Sequence, residues 1–354
     1  METYIVSALK YRPQAFDEVV GQQAIVQTLE NAIEKNQLAQ ALLFCGPRGV
    51  GKTSCARILA KKINSQGKEN PNEDFAFNIF ELDAASNNSV DDIRSLNEQV
   101  RIPPQVGTHK IYIIDEVHML SLEAFNAFLK TLEEPPKHVI FILATTEKQK
   151  IIPTILSRCQ TYDFKRISVK DCKEHLQKIA QDQQIQFEEE ALDLIAQKAD
   201  GAMRDALSIY DRMVSFTDRN LTVKSVSENL NVLDHESFFS ITDLILQNDI
   251  PSILLAFDDL LKKGFDELQF IVGLGSHFRD LMMSKENKTL HLLEVSEGTQ
   301  KKYVQQTLKT PLSLLLSGID LVSKCELDYR NTKNKRLLIE LCLMQMASLH
   351  SEEK

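Results

Sequence analysis

Gly46-Pro47-Arg48-Gly49-Val50-Gly51-Lys52-Thr53 decides the fold, because of what flanks it: the apolar run ALLFC at 41–45 before it and the helically spaced SCARILAKKI at 54–63 after it. The pattern is G-x-x-x-x-G-K-T between a strand and a helix. Its glycines let the backbone turn so that successive N–H groups point inward at phosphates, and the following helix adds its positive N-terminal end. Gly46, Pro47, Arg48, Gly49, Val50, Gly51, Lys52, Thr53 and Ser54 are therefore the candidate phosphate cradle. Lys52 is expected to reach the β- and γ-phosphates of ATP, and Thr53 to hold Mg²⁺.

Further apolar runs suited to buried strands lie at 79–82, 111–114 and 139–144, separated by segments with helical spacing. Such alternation predicts a parallel α/β sheet covered by helices on both faces. The first domain is expected over residues 1–167. The run Ile111-Tyr112-Ile113-Ile114-Asp115-Glu116 ends in two carboxylates. At the C-terminal edge of a parallel sheet these acids come to the side where ligands bind. Asp115 would hold Mg²⁺, directly or through water, and Glu116 would orient or deprotonate the attacking water. The next run, VIFILATT, ends in Thr145 and Thr146, and either hydroxyl could reach the γ-phosphate or the water. His118 lies two residues beyond Glu116; a lone histidine at a strand end is more often a packing or hydrogen-bonding residue than a catalyst.

After Phe164 the strand signals fade. Ser168 to Asp171 fits the S-x-x-D capping pattern ahead of Cys172, Leu176, Ile179 and Ala180 at helical spacing. A small helical domain is expected over 168–232 and an all-helical domain over 233–354, with breaks near Pro251, Gly264 and Pro311 and a last helix over about 335–349. With 354 residues, 43% of them hydrophobic, the chain can bury a sizeable core. Six cysteines without C-x-x-C spacing argue against a disulfide framework or a structural zinc site. A net charge of −9 disfavours a protein that coats nucleic acid by bulk positive charge, though it leaves a local basic surface open. No apolar run approaches membrane-spanning length, and the N-terminus lacks a basic region followed by an apolar core, so the expected compartment is the cytoplasm.

The order GPRGVGKT, IYIIDEVHML, ILATTEKQKIIPTILSRC and GAMRDALSIYD resembles the AAA+ clamp-loader family, and within it the gamma/tau type of bacterial DNA polymerase III. The opening KYRPQAFDEVVGQ and the helix LKTLEEPP are similar to that family too, so the match covers about residues 8–216. The resemblance implies an α/β P-loop AAA+ domain with a parallel sheet, a small helical lid domain and an all-α collar domain. It implies that Arg158, in Ser157-Arg158-Cys159, is an arginine finger acting in trans on the neighbouring subunit's ATP, and that Arg204 is the second sensor arginine on the lid. Thr146 becomes the first sensor; Tyr11, Arg12, Val20 and Gly21 become candidates for the adenine pocket. The implied partners are other clamp-loader subunits in a hetero-oligomeric ring, the sliding clamp and primer-template DNA, without a membrane.

Three departures stand out. Family members commonly insert a four-cysteine zinc module after the P-loop helix, whereas 63–78 contains no cysteine and a polar loop at 64–74 takes its place, so no zinc is expected. Where DNA-facing basic residues are common, this chain has Asn87, Asn88 and Ser89, leaving backbone amides at a helix start for phosphate. The given sequence stops after the collar-like helices, without the extension of tau forms; if 354 residues is the whole protein, a resemblance to the short gamma form is expected. The expected function is an ATP-binding and hydrolysing subunit that loads a sliding clamp onto primed DNA; the alternative is a nucleotide-binding structural subunit without significant turnover.

Overall fold

The computed structural model describes residues 5–65, 76–105, 107–230, 235–293, 295 and 297–349. Most of the loop at 64–74 and the expected domain boundary at 232/233 lie outside these residues. The chain divides into two compact units, one of residues 1–179 and 196–211, the other of residues 180–195 and 212–354.

In the first unit five parallel strands form one sheet: β1 (Ala41–Cys45), β2 (Ile79–Asp83), β3 (Lys110–Asp115), β4 (Val139–Thr145) and β5 (Gln160–Asp163), in the order β2-β3-β4-β1-β5. The inner strands are apolar at successive positions because both faces are covered. Leu42, Phe44, Ile111, Ile113, Ile140 and Ile142 pack on one side, in a core shared with Val26 and Leu29 of the helix Gln23–Glu34 and with Cys55, Ile58 and Leu59 of the helix Lys52–Ser65. Leu43, Tyr112, Ile114, Phe141 and Leu143 pack on the other. That second core includes Ile93 and Leu96 of the helix Val90–Val100 and Phe125 and Phe128 of the helix Leu122–Glu133. Alternate side chains thus feed opposite cores, as the period of a strand requires.

The expected runs at 41–45, 79–82, 111–114 and 139–144 are strands, within a residue at each end. The fifth strand was not legible as an apolar run: in QTYD only Tyr162 is buried, because β5 is an edge strand with one neighbour. The Ser168 cap is present, its Oγ accepting the Asp171 N–H at 3.0 Å.

The second unit contains the helices His235–Leu246, Ile250–Lys262, Glu267–Met283, Glu297–Thr307, Leu312–Tyr329 and Lys335–Leu349. Pro251 falls in the first turn of its helix, Gly264 just beyond the end of that helix, and Pro311 at the N-cap of the next-but-two. Each marks a break where sequence placed it. Phe257, Phe270, Leu274, Phe278, Leu315, Leu343 and Met346 form this unit's core. Inside it lies a polar chain. Gln306 Nε2 donates to the Phe239 carbonyl at 2.8 Å and to Asp243 at 2.9 Å, so its Oε1 is left to accept from His277 Nε2 at 3.1 Å. His277 Nδ1 then accepts from the Tyr303 hydroxyl at 3.0 Å.

Burial pulls the His277 imidazole down from 6.5 to about 3, against the smaller upward pull of Gln306. In the unfolded chain the same ring ionises near 6.5. Above that value both states are neutral and the contribution to stability is complete. As pH falls from 6.5 towards 3 the unfolded chain takes up a proton that the folded chain does not, so stability is lost, at a slope approaching about 1.4 kcal/mol per pH unit. Urea unfolding of wild type and His277→Gln at pH 7.5 and pH 5 checks this. The wild type is expected to lose more stability over that interval than the variant; equal losses would show that His277 is not the group responsible.

Candidate nucleotide site

The sheet register aligns the strand ends. Cys45 pairs with Thr145 and with Asp163, and Asp83 pairs with Asp115, so the C-terminal edge carries the P-loop, both β3 acids and both threonines at one end of the sheet. Above it opens a cleft of about 1200 Å³. Arg48, Gly49, Val50, Gly51, Lys52, Thr53 and Ser54 line it, with Asp115 and Glu116 facing them. Tyr11, Arg12, Val20 and Arg204 line it as well.

The loop needs its glycines. Gly46 has φ 145, and a Cβ there would lie 2.4 Å from the Phe164 carbonyl oxygen and 2.9 Å from the Phe164 Cβ, so a side chain is excluded by backbone. Gly49 and Gly51 also adopt positive φ, at 77 and 102. Lys52 opens the helix Lys52–Ser65 and is only 6% exposed. Its Nζ donates to the carbonyls of Gly46 and Pro47, each at 2.7 Å, bending the ammonium back over the loop. Burial lowers the Lys52 pKa, opposed by Glu116 and then Asp115. A phosphate oxygen would offer the ammonium a charged acceptor in place of two neutral ones.

Thr53 Oγ1 donates to Asp115 Oδ2 at 2.8 Å, joining the end of the P-loop to the end of β3. Two oxygens held this way would suit Mg²⁺ as a hard donor pair alongside phosphate and water. Glu116 follows in the left-handed conformation, φ 47, which turns its carboxylate away from Asp115 and towards β4. There Glu116 Oε2 accepts from the Thr146 N–H at 3.2 Å and the Thr146 hydroxyl at 2.9 Å. Thr146, expected to reach the γ-phosphate or the attacking water, is bonded to Glu116 and does not line the cleft itself. Thr145 is fully buried and turns to His118 instead.

Three arginines gather on one wall. Burial first, then the neighbouring charges of Arg57 and Arg204, pull the Arg12 guanidinium below its ordinary range, with Glu81 and Asp115 opposing. Arg12 Nε donates to Ser54 Oγ at 3.2 Å, and the Arg204 N–H to the Gly49 carbonyl at 3.4 Å. A crowd of cations in a concave site favours a polyphosphate. Gly46, Pro47 and Gly21 do not line the cleft. Gly46 and Pro47 act from behind through their carbonyls, and Gly21, at φ 73, packs on Ile167, itself a lining residue. Arg158 also lies apart from its own chain's cleft, at the end of the short helix Pro153–Leu156. It donates to the Thr154 carbonyl at 2.7 Å and is ion-paired with Glu133.

Sequence reasoning missed Arg57, Glu81, His175 and Asp211, all of which line the cleft. Glu81 could have been flagged as a charge inside the β2 run. Asp211 holds both the N–H and the hydroxyl of Ser7, a contact across 204 positions that no local pattern carries. Among the described residues no group of three or more His, Cys, Asp or Glu side chains is placed to hold a metal ion, and no helix is long and apolar enough to cross a membrane.

A parallel sheet in the order β2-β3-β4-β1-β5 with a P-loop after β1 and an Asp-Glu pair after β3 defines a P-loop fold of the AAA+ class. The fold is shared with a Holliday junction branch migration motor, RuvB of Thermotoga maritima, at a TM-score of 0.51 and 22% identity over 66% of this chain and 79% of that one. The family model for the DNA polymerase III delta subunit matches residues 21–168, and that for the ATPase lid domain of the DNA polymerase III clamp loader subunit matches 171–219. DNA polymerase III subunit gamma of Buchnera aphidicola subsp. Schizaphis graminum is 31% identical over 97% of this chain and 98% of its own length. Subunit tau of Bacillus subtilis strain 168 is 38% identical over 95% of this chain, and that of Escherichia coli K12 34% over 98%. The chain belongs to the DNA polymerase III gamma/tau subunit family. It spans 62% and 56% of the lengths of those two tau subunits.

Proposed function

We propose that the chain binds and hydrolyses ATP as a motor subunit of a clamp loader, driving the placement of a sliding clamp on primer-template DNA. The observation that carries the nucleotide reading is the 2.8 Å hydrogen bond from Thr53 to Asp115, because it joins the two Mg²⁺-binding elements of a P-loop enzyme at the mouth of a cationic cleft. Residues 1–167 act as the ATPase domain, 168–232 as the lid and 233–354 as a collar that holds the subunits of a hetero-oligomeric ring. The match of the lid model to 171–219 supports the middle assignment.

The P-loop amides and Lys52 cradle the phosphates, while Thr53 and Asp115 hold Mg²⁺, which when bound neutralises phosphate charge. Tyr11, Arg12 and Val20 frame the base, with Gly21 behind them against Ile167, and Arg204 reads the phosphates from the lid. Glu116 orients the attacking water and takes its proton, beside Thr146. Arg158 stabilises the charge that develops on the γ-phosphate in the next subunit. DNA contact near residues 87–89 is weak, since the Ser89 N–H and hydroxyl are already engaged by Asp92 in a capping box and no basic side chain stands there. The protein works in the cytoplasm, and no zinc takes part.

Lys52→Ala tests the core of this reading. ATP·Mg²⁺ affinity, followed by isothermal titration, is expected to fall at least about tenfold, because a charge-assisted contact contributes about 1.5–3 kcal/mol. Unchanged affinity would remove the P-loop from the binding site.

A further inference from the structure

His118 is placed where neither packing nor nucleotide binding accounts for it. Its side chain is only 5% exposed, yet it meets three polar groups from the end of β4 and from Glu116. Nδ1 lies 3.0 Å from Thr145 Oγ1 and 3.4 Å from Glu116 Oε2, and Nε2 lies 3.3 Å from Glu147 Oε1. Thr145 Oγ1 already accepts the Glu147 N–H at 3.0 Å, so its own proton is available for His118 Nδ1. Glu147 is fixed in turn by Lys150 at 2.8 Å. The ring is therefore clamped at both nitrogens by atoms of one short segment, 145–147, and cannot turn without stranding a buried polar group.

This clamped ring is one side of the slot that holds Glu116. The other side is Thr146, whose N–H and hydroxyl take the same oxygen, Oε2. The left-handed backbone of Glu116 turns its side chain towards β4, so the groups that it meets there set where the carboxylate rests.

We propose that His118 is a positioning residue for Glu116, setting the carboxylate against Thr146 so that its second oxygen faces the attacking water. The proposal rests on the reading of Glu116 as the residue that activates water. A residue in this place acts on turnover and leaves nucleotide binding alone, because neither His118 nor its partners Thr145 and Glu147 line the cleft. Misplacing a reacting group by about 1 Å costs up to about 100-fold in rate.

The test uses the full chain under the conditions that give its highest ATP turnover, with His118→Ala and His118→Asn made in the wild type and in Glu116→Gln. The alanine variant is expected to lower kcat about 10- to 100-fold with KM and ATP affinity little changed. Asparagine, whose amide oxygen can still accept from Thr145 at the edge of the slot, is expected to restore a large part of the rate. In the Glu116→Gln background neither change should lower the rate further. An equal loss from His118→Ala in both backgrounds, a loss expressed as weaker ATP binding, a loss that asparagine does not relieve, or unchanged turnover would each overturn the proposal. If Glu116→Gln alone hydrolyses ATP at the wild-type rate, the reading of Glu116 fails first, and that outcome is distinguishable from the other four.

Discussion

Glu116→Gln is expected to bind ATP as the wild type does and to lose about 100- to 10,000-fold in turnover, the range that removal of a general base covers. The substitution is nearly isosteric, and the bonds that hold the side chain survive it: a glutamine Oε1 still accepts from the Thr146 N–H and hydroxyl. Asp115, which shares its oxygens with Thr53 and with the Glu116 N–H, is untouched. Only the capacity to draw a proton from water is lost. Single-turnover hydrolysis beside an equilibrium ATP titration separates the two quantities, and a variant that binds and hydrolyses normally would assign the base elsewhere.

Arg158→Ala is expected to leave ATP binding by the isolated chain unchanged and to abolish about 10³-fold or more of the turnover of the assembled ring. The difference between the two settings follows from position. In its own chain the guanidinium lies outside the cleft, held by the Thr154 carbonyl and by Glu133 at the foot of a helix that begins at Pro153. If Arg158 is the finger of the proposed ring, it works on a site of another molecule, since it does not line its own. A loss of ATP affinity in the isolated variant would mean that Arg158 acts in cis, and undiminished turnover in the ring would mean that it is not the finger.

How much of this was legible beforehand depended on how local each signal is. The P-loop and the Asp115-Glu116 pair are contiguous motifs whose flanking strands are apolar on both faces, so residue order alone brought them to one sheet edge. Strand β5 escaped because an edge strand carries few buried residues, and QTYD has only Tyr162. Arg158 reads as an ordinary charge in isolation, and both it and Arg204 are marked only by family resemblance; Arg204 does stand at the cleft, and Arg158 stands apart from it. The grouping of Arg12, Arg57 and Arg204, and the Ser7–Asp211 clasp, depend on chain segments that meet only on folding. His118 was visible as a residue but not as part of a slot, because its partners Thr145 and Glu147 arrive on another strand.

The most direct measurement is steady-state ATP hydrolysis by the purified chain, first alone and then with candidate partner subunits, sliding clamp and primed DNA. Strong stimulation in the complete mixture, lost in Arg158→Ala, is the expected result for a clamp-loader motor with an active site shared between subunits. ATP binding without stimulated turnover would contradict the motor reading and leave a nucleotide-binding structural subunit in its place.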